Sequence, residues 1–261
     1  MEWIEHPAPG LGAGGRVGVV GYVGHAADGR YDSPHHARRE PQAFRVDTPP
    51  GNEPLRTHFH TVDQFQFVGW GSGRIGGHDV AAGSVHYADG FTPYGPLTSG
   101  DGGYAYITLR GTTDMGISYM PDSRDELREA LAGGPRDPRS RRSLTLDLRG
   151  ADTSGVPPGS WTRLVDDADG LVVAVADCPP GRAVGAPPAG TAGAYLVVVG
   201  GTVDDGTGTP VAAGAVRWCP PGSAPSLVAA GDGARVGLLR FPDARRPEPV
   251  SAAAGPVRAG R

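Results

Sequence analysis

The feature that most constrains this sequence is that its second half repeats its first at an offset of 130 residues. Pro49-Pro50-Gly51 returns as Pro179-Pro180-Gly181, Gly71 as Gly201, and Leu109-Arg110 as Leu239-Arg240. Between them, Ala82-Gly83-Ser84-Val85 returns as Ala213-Gly214-Ala215-Val216 at an offset of 131, with Pro93 falling on Ala224. A repeat of this length is a domain, so the chain is expected to be two copies of one fold. Composition sets the class: 43 Gly and 26 Pro with only 38% hydrophobic residues oppose a helical bundle and favour short strands joined by many turns. The expected fold class is all-β.

In chain order, strands are expected over Arg16 to Val23 and Gln42 to Val46, then around His58 and Phe65, over Gly73 to His78, Ser84 to Ala88, and Tyr104 to Arg110, with turn residues between them. Between the first two, His35-His36 lies in an aperiodic polar run; adjacent side chains on an extended chain point to opposite sides, so a solvated loop is expected there. After Met120-Pro121 the texture changes: Ser123-Arg124-Asp125-Glu126 reads as a capping box, Leu127, Ala130 and Leu131 share a helix face, and Gly133-Gly134 stops it. The Arg- and Pro-rich run that follows reads as an exposed linker. The expected units are residues 1–121, a helix and linker at 122–145, and a second copy at 146–261.

Candidate chemistry concentrates in Thr57 to Gly71. His58 and His60 lie two apart in a run rich in Phe, Val and Thr, so on a strand both imidazoles point to one face and can reach one ion. Gln64 and Gln66 repeat that spacing and supply amide oxygens. The second copy lacks all of it, with His58 falling on Pro188, His60 on Gly190, Gln64 on Ala194 and Tyr94 on Pro225. His86 falls on Arg217 while its neighbours Val85 and Tyr87 fall on Val216 and Trp218, so 85 and 87 form the apolar face and His86 looks the other way, as a surface residue or as a ligand. Tyr104, Tyr106 and Thr108 fall on Ala234, Val236 and Leu238, so a face that is apolar in the second copy carries hydroxyls in the first. Arg56 shares the His58 face and could pair with a carboxylate.

The order His-x-His-x-x-x-Gln-x-x-x-x-x-x-Gly, with Pro49-Pro50-Gly51 leading in, resembles the first motif of the cupin superfamily. Gln64 stands where cupins usually place Glu. Residues 82–94 are similar to the second motif, with Tyr94 in place of the last metal histidine. The resemblance covers about residues 42–112 and 170–241. It implies two jelly-roll barrels in tandem with one short linking helix, a bicupin whose first barrel is active and whose second is degenerate.

The site implied has His58, His60, Gln64 and His86 as metal ligands, Tyr94 and Gln64 as catalytic residues, and Arg56, Gln66, Tyr104 and Tyr106 against substrate. The implied cofactor is a divalent metal, Fe(II) first, with Zn, Mn or Ni as alternatives. A neutral Gln64 would leave more positive charge on the ion and favour an anionic substrate oxygen. The implied activity is a non-haem iron dioxygenase acting on a small organic molecule; alternatives are a redox-neutral isomerase, cyclase or lyase, and a small-molecule-binding or sensor cupin without catalysis.

A formal charge of -4 and a pI near 6.0 provide no basic field for nucleic acid or an anionic membrane. With no apolar run of membrane-spanning length and no signal-like start, a cytoplasmic protein is expected, with a homodimer left open. Cys178 and Cys219 each adjoin a Pro-Pro pair and read as reduced packing residues rather than a metal or redox motif.

Overall fold

The computed structural model describes residues 3–4, 17–23, 40–114, 116–132, 142–223 and 225–243; His35 and His36 lie outside them. Two antiparallel β-sheet domains are joined by one helix among these residues. The first domain contains β1 (Gly18–Val23), β2 (Gln42–Thr48), β3 (His58–Phe59), β4 (Gln64–Ile75), β5 (His78–Ala81), β6 (Ser84–Ala88), β7 (Leu97–Arg110) and β8 (Ser118–Tyr119). Helix α1 (Arg124–Ala132) and β9 (Ser143–Asp147) follow. The second domain contains β10 (Trp161–Asp166), β11 (Val172–Cys178), β12 (Ala183–Val184), β13 (Ala194–Asp204), β14 (Val211–Ala212), β15 (Val216–Cys219) and β16 (Leu227–Arg240).

The first sheet runs β1-β2-β7-β4-β6-β9 with β5 on β4, and the second β10-β11-β16-β13-β14 with β12 on β16 and β15 on β13. A separate pair joins β3 to β8. The duplication is visible in the register: Gln64 pairs with Arg110 and Val68 with Tyr106, while 130 residues on Ala194 pairs with Arg240 and Val198 with Val236. Both ladders shift next to the same glycine. Gly71 and Gly201 have φ of 68° and 70°, and a Cβ on either would strike a backbone oxygen of the paired strand, Gly103 or Gly233, so glycine is required twice at one bulge.

Residues 64–68 of β4 are buried on both faces, and the two faces do different work. Phe65 and Phe67 join Tyr87 and Leu109 in a core shared with Val173, Tyr195, Val197 and Leu239 of the second domain. The Tyr195 hydroxyl crosses this interface to donate to the carbonyls of Gln42, 3.0 Å, and Arg110, 3.3 Å. The opposite faces make two separate interiors. In the second domain that interior is apolar, with Ala174, Leu196, Val198, Val236 and Leu238. In the first it is lined by Val68, Tyr94, Tyr104 and Tyr106 and by a set of buried polar groups.

Among the described residues, β9, beyond the helix in sequence, pairs with β6, and Ile4 bridges to Val216 of the second domain. The α1 face of Leu127, Ala130 and Leu131 is half-buried as patterned, but the capping box does not form. Glu126 instead lies 3.3 Å from the Ser118 hydroxyl, which donates to it. Cys178 and Cys219 are buried free thiols. Among the described residues no helix is long and apolar enough to cross a membrane.

Candidate functional site in the N-terminal domain

Strand alternation brings His58, Gln64, Gln66, His86, Thr108 and Arg110 to the inner face, each 3% exposed or less. Tyr94 joins them because its backbone bridges to His58, with N–H to carbonyl bonds of 3.1 and 3.0 Å. The phenol is therefore 5% exposed, inside the domain. Its hydroxyl accepts from Gln64 Nε2 and lies 2.9 Å from His58 Nε2. His58 Nδ1 is 2.7 Å from the carbonyl of Arg56, an acceptor only, so Nδ1 carries the proton and Nε2 accepts from Tyr94.

His60 is ordered by a residue that the sequence motif does not contain. Asp114, fully buried, lies 2.7 Å from His60 Nδ1 and also takes the backbone N–H and hydroxyl of Thr61, at 3.1 and 2.7 Å. The Gly116 carbonyl is 2.9 Å from the same His60 nitrogen. Two acceptors on one nitrogen place the proton there and leave Nε2 as the lone pair. Arg110 Nη2, 3.1 Å from Nδ1, is consequently a neighbouring charge and not a donor to it.

His86 Nδ1 is 2.9 Å from the Thr145 hydroxyl of β9, and its Nε2 is buried without a partner. Its ring centroid is 5.1 Å from that of Tyr94, so His86 belongs to the interior cluster and not to the surface. Asp114 and Thr145 had no sequence signal, since each lies far from the His-x-His stretch and reaches it only through the fold.

Electrostatics follow from burial. It lowers His58 to about 4 and His86 to about 3, and lowers His60 with help from the Arg110 charge. All three are neutral at pH 7. Burial alone would raise Asp114, but the His60 bond and the Arg110 charge outweigh it and hold the carboxyl below its usual range. Burial pushes the Tyr94 phenol above its ordinary value, so it remains a proton donor.

Arg110 fills the position beside Gln64. Its Nε and Nη2 donate to Gln64 Oε1 at 3.1 and 2.9 Å, its Nη1 donates to Gln42 Oε1 at 2.6 Å, and it lies 3.6 Å from Asp114. The only amide oxygen of Gln64 is thus spent on a guanidinium, against the metal-ligand role that the motif implies. The imidazoles fit a divalent ion better, since each is neutral and ties Nδ1 to an oxygen, the usual support behind a metal-bound histidine. Among the described residues, however, no three His, Cys, Asp or Glu side chains already stand in an arrangement that would grip an ion.

The substrate candidates separate. Gln66 pairs across the strands with His86 and Thr108, and its Oε1 is buried without a partner, as is the Tyr104 hydroxyl. Tyr104 and Tyr106 also face a cavity of about 350 Å³. Arg56 stands at that cavity on the surface, paired with Asp122 at 2.8 Å and lying over the Tyr119 ring.

No family model matches the sequence, and no curated protein matches it. Solved structures do match. A protein from Nostoc punctiforme PCC 73102, provisionally described as a dioxygenase, aligns at 14% identity over 81% of this chain and 73% of its own, with a TM-score of 0.53. Oxalate decarboxylase from Bacillus subtilis aligns at 12% identity over 78% and 69%, with a TM-score of 0.50. A cupin 2 conserved barrel domain protein from Leptotrichia buccalis aligns at 11% identity over 87% and 89%, with a TM-score of 0.47. At these identities the likeness is one of fold alone, and this chain shares its fold with the Nostoc protein and with oxalate decarboxylase.

Proposed function

We propose that the first domain is the working site of a metal-dependent bicupin enzyme acting on a small organic molecule, with the second domain as its scaffold. The division into units at 1–121 and 146–261 is part of this proposal. The observation that carries it is the trio of neutral imidazoles around Tyr94, His58 and His86 buried and His60 part-buried, each with Nδ1 tied to an oxygen, in the one copy that has them. His58, His60 and His86 would hold the ion through Nε2, and His58 would have to give up the Tyr94 hydroxyl to do so.

A bound ion supplies Lewis-acid polarisation of a substrate oxygen or, if it is iron, a place for dioxygen. The dioxygenase is the first reading. The Tyr94 hydroxyl, kept protonated by burial, is a proton donor inside the domain, which favours the redox-neutral isomerase, cyclase or lyase as the second. The closure of Gln64 by Arg110 favours the third, a small-molecule-binding module.

Elemental analysis of protein purified without a metal-binding tag tests the reading. His58→Ala and His60→Ala are each expected to lower bound metal to a small fraction of wild type with the fold intact. Full metal retention in the double variant would end the metal reading. Tyr94→Phe is expected to keep the metal and lower turnover about 2- to 10-fold, the loss of one neutral hydrogen bond. A defect of roughly 100-fold or more would instead make Tyr94 the proton donor in the reaction.

A further inference from the structure

The metal-site reading leaves unexplained which molecule the interior of the first domain takes, and the polarity of its unpaired groups bears on that. Gln66, His86 and Tyr104 are 2%, 2% and 0% exposed, and each carries a buried polar atom without a partner: Oε1, Nε2 and the hydroxyl. Such atoms are costly to bury, so each is open to a bond from a ligand or water; Gln66 and His86 are cross-strand partners, and Tyr104 lines the cavity of about 350 Å³. Gln66 Oε1 can only accept. The Tyr104 hydroxyl can donate or accept, and the neutral His86 Nε2 does one or the other according to which way the Thr145 hydroxyl turns.

The cations nearby are already spent. All 24 basic residues of the chain are arginines, so no lysine ammonium is present to meet a carboxylate. Arg110 is held by Gln42, Gln64 and Asp114, and Arg56 is paired with Asp122. Arg45 is paired with Asp47 at 2.6 Å. A carboxylate has no hydrogen to offer Gln66, and Arg110, Arg56 and Arg45 each already face a carboxylate of the protein, so none is free to offset its desolvation. The expectation of an anionic substrate oxygen assumed Gln64 facing an ion, whereas here Gln64 faces Arg110.

We infer that the interior of the first domain takes a neutral, hydroxyl-rich molecule of the polyol or sugar type in preference to a carboxylate. A hydroxyl donates to Gln66 and exchanges either way with Tyr104, and in the metal-free protein it also suits His86 in either tautomer. The tyrosine rings beside the cavity, with Tyr104 and Tyr106 at a centroid distance of 5.4 Å, give such a molecule's carbon faces something to pack on. The inference rests on the proposed function only in placing the working site in the first domain.

The test is calorimetric titration of the full chain, once stripped of metal by chelation and once loaded with iron or zinc. Glucose, mannitol and glycerol are the neutral probes; acetate, malonate and succinate are the charged ones. Saturable binding of at least one neutral probe is expected in both forms, with no carboxylate binding more tightly in the stripped form. Tyr104→Phe and Gln66→Leu are each expected to weaken it about 3- to 10-fold.

Tighter carboxylate binding by the stripped protein, no saturable binding of any neutral probe, or unchanged affinity in both variants would overturn the inference. If Gln66→Leu fails to fold, Tyr104→Phe, which removes a single oxygen, decides alone. A protein that takes up metal but, once stripped of it, prefers carboxylates sinks this inference and spares the metal reading. One that binds a polyol yet never takes up metal does the reverse.

Discussion

Arg110→Met is expected to lower folding stability by about 3–5 kcal/mol, measured by chemical denaturation at neutral pH. Arg110 is 2% exposed and makes three side-chain hydrogen bonds to two glutamines, so its loss leaves Gln64 Oε1 without either Arg110 donor and Gln42 Oε1 without one. It also removes the guanidinium beside the fully buried Asp114 carboxylate. Breaking one side of such a set costs more than the set contributes, because the partner stays buried and uncompensated.

A second readout isolates the electrostatic part. The Arg110 charge helps hold His60 neutral, so in the variant His60 should bind a proton more readily and form an imidazolium pair with Asp114. Its NMR titration should move upward. A loss below about 1 kcal/mol together with an unmoved His60 titration would show that Arg110 is not the internal counter-ion described here.

Folding stability of the metal-stripped protein is expected to fall by several kcal/mol as pH drops from about 6.5 towards 3. His58 and His86 have folded values of about 4 and about 3 against 6.5 for an ordinary histidine. Between those limits the unfolded chain binds protons that the folded one refuses, so stability rises with pH; it is complete above about 6.5 and lost on acidification. The two shifts correspond to about 3 and about 5 kcal/mol as upper figures. Asp114 acts in the same direction at lower pH, since its depressed value is lost only below the ordinary carboxylate range. Urea denaturation across this range, with His86→Gln as the comparison, checks the assignment. A His86→Gln profile as steep as wild type would remove His86 from the account.

Both effects come from residues whose importance was unevenly written in the sequence. Leu109-Arg110 and Leu239-Arg240 could be matched by eye, but the partners of the two arginines differ. Arg240 donates to the backbone carbonyls of Pro188 and Ala189, whereas Arg110 meets side chains in the equivalent space. An arginine at a strand end is a local fact; what it neutralises is set by strands brought alongside it. The same limit applied to Gln64. Its spacing from His58 and His60 gives it their face of an extended chain, yet spacing has no way to register a guanidinium arriving from β7 at position 110.

What the sequence determined by itself was everything that depends on period and repeat. The offset of 130 carries over into the strand register, the glycine bulge recurs because only glycine avoids the facing carbonyl, and the alternation at 64–68 and 84–88 separates an interdomain face from an inner one. That alternation also turns His86 away from Val85 and Tyr87. Tertiary structure alone decided which inner groups are satisfied. Asp114 reaches His60 across 54 positions, Thr145 reaches His86 across 59 from a strand beyond the helix, and Tyr94 is carried inside by its bridge to His58. Those contacts depend on chain closure over long separations, and no local pattern of residue types encodes where such a closure ends.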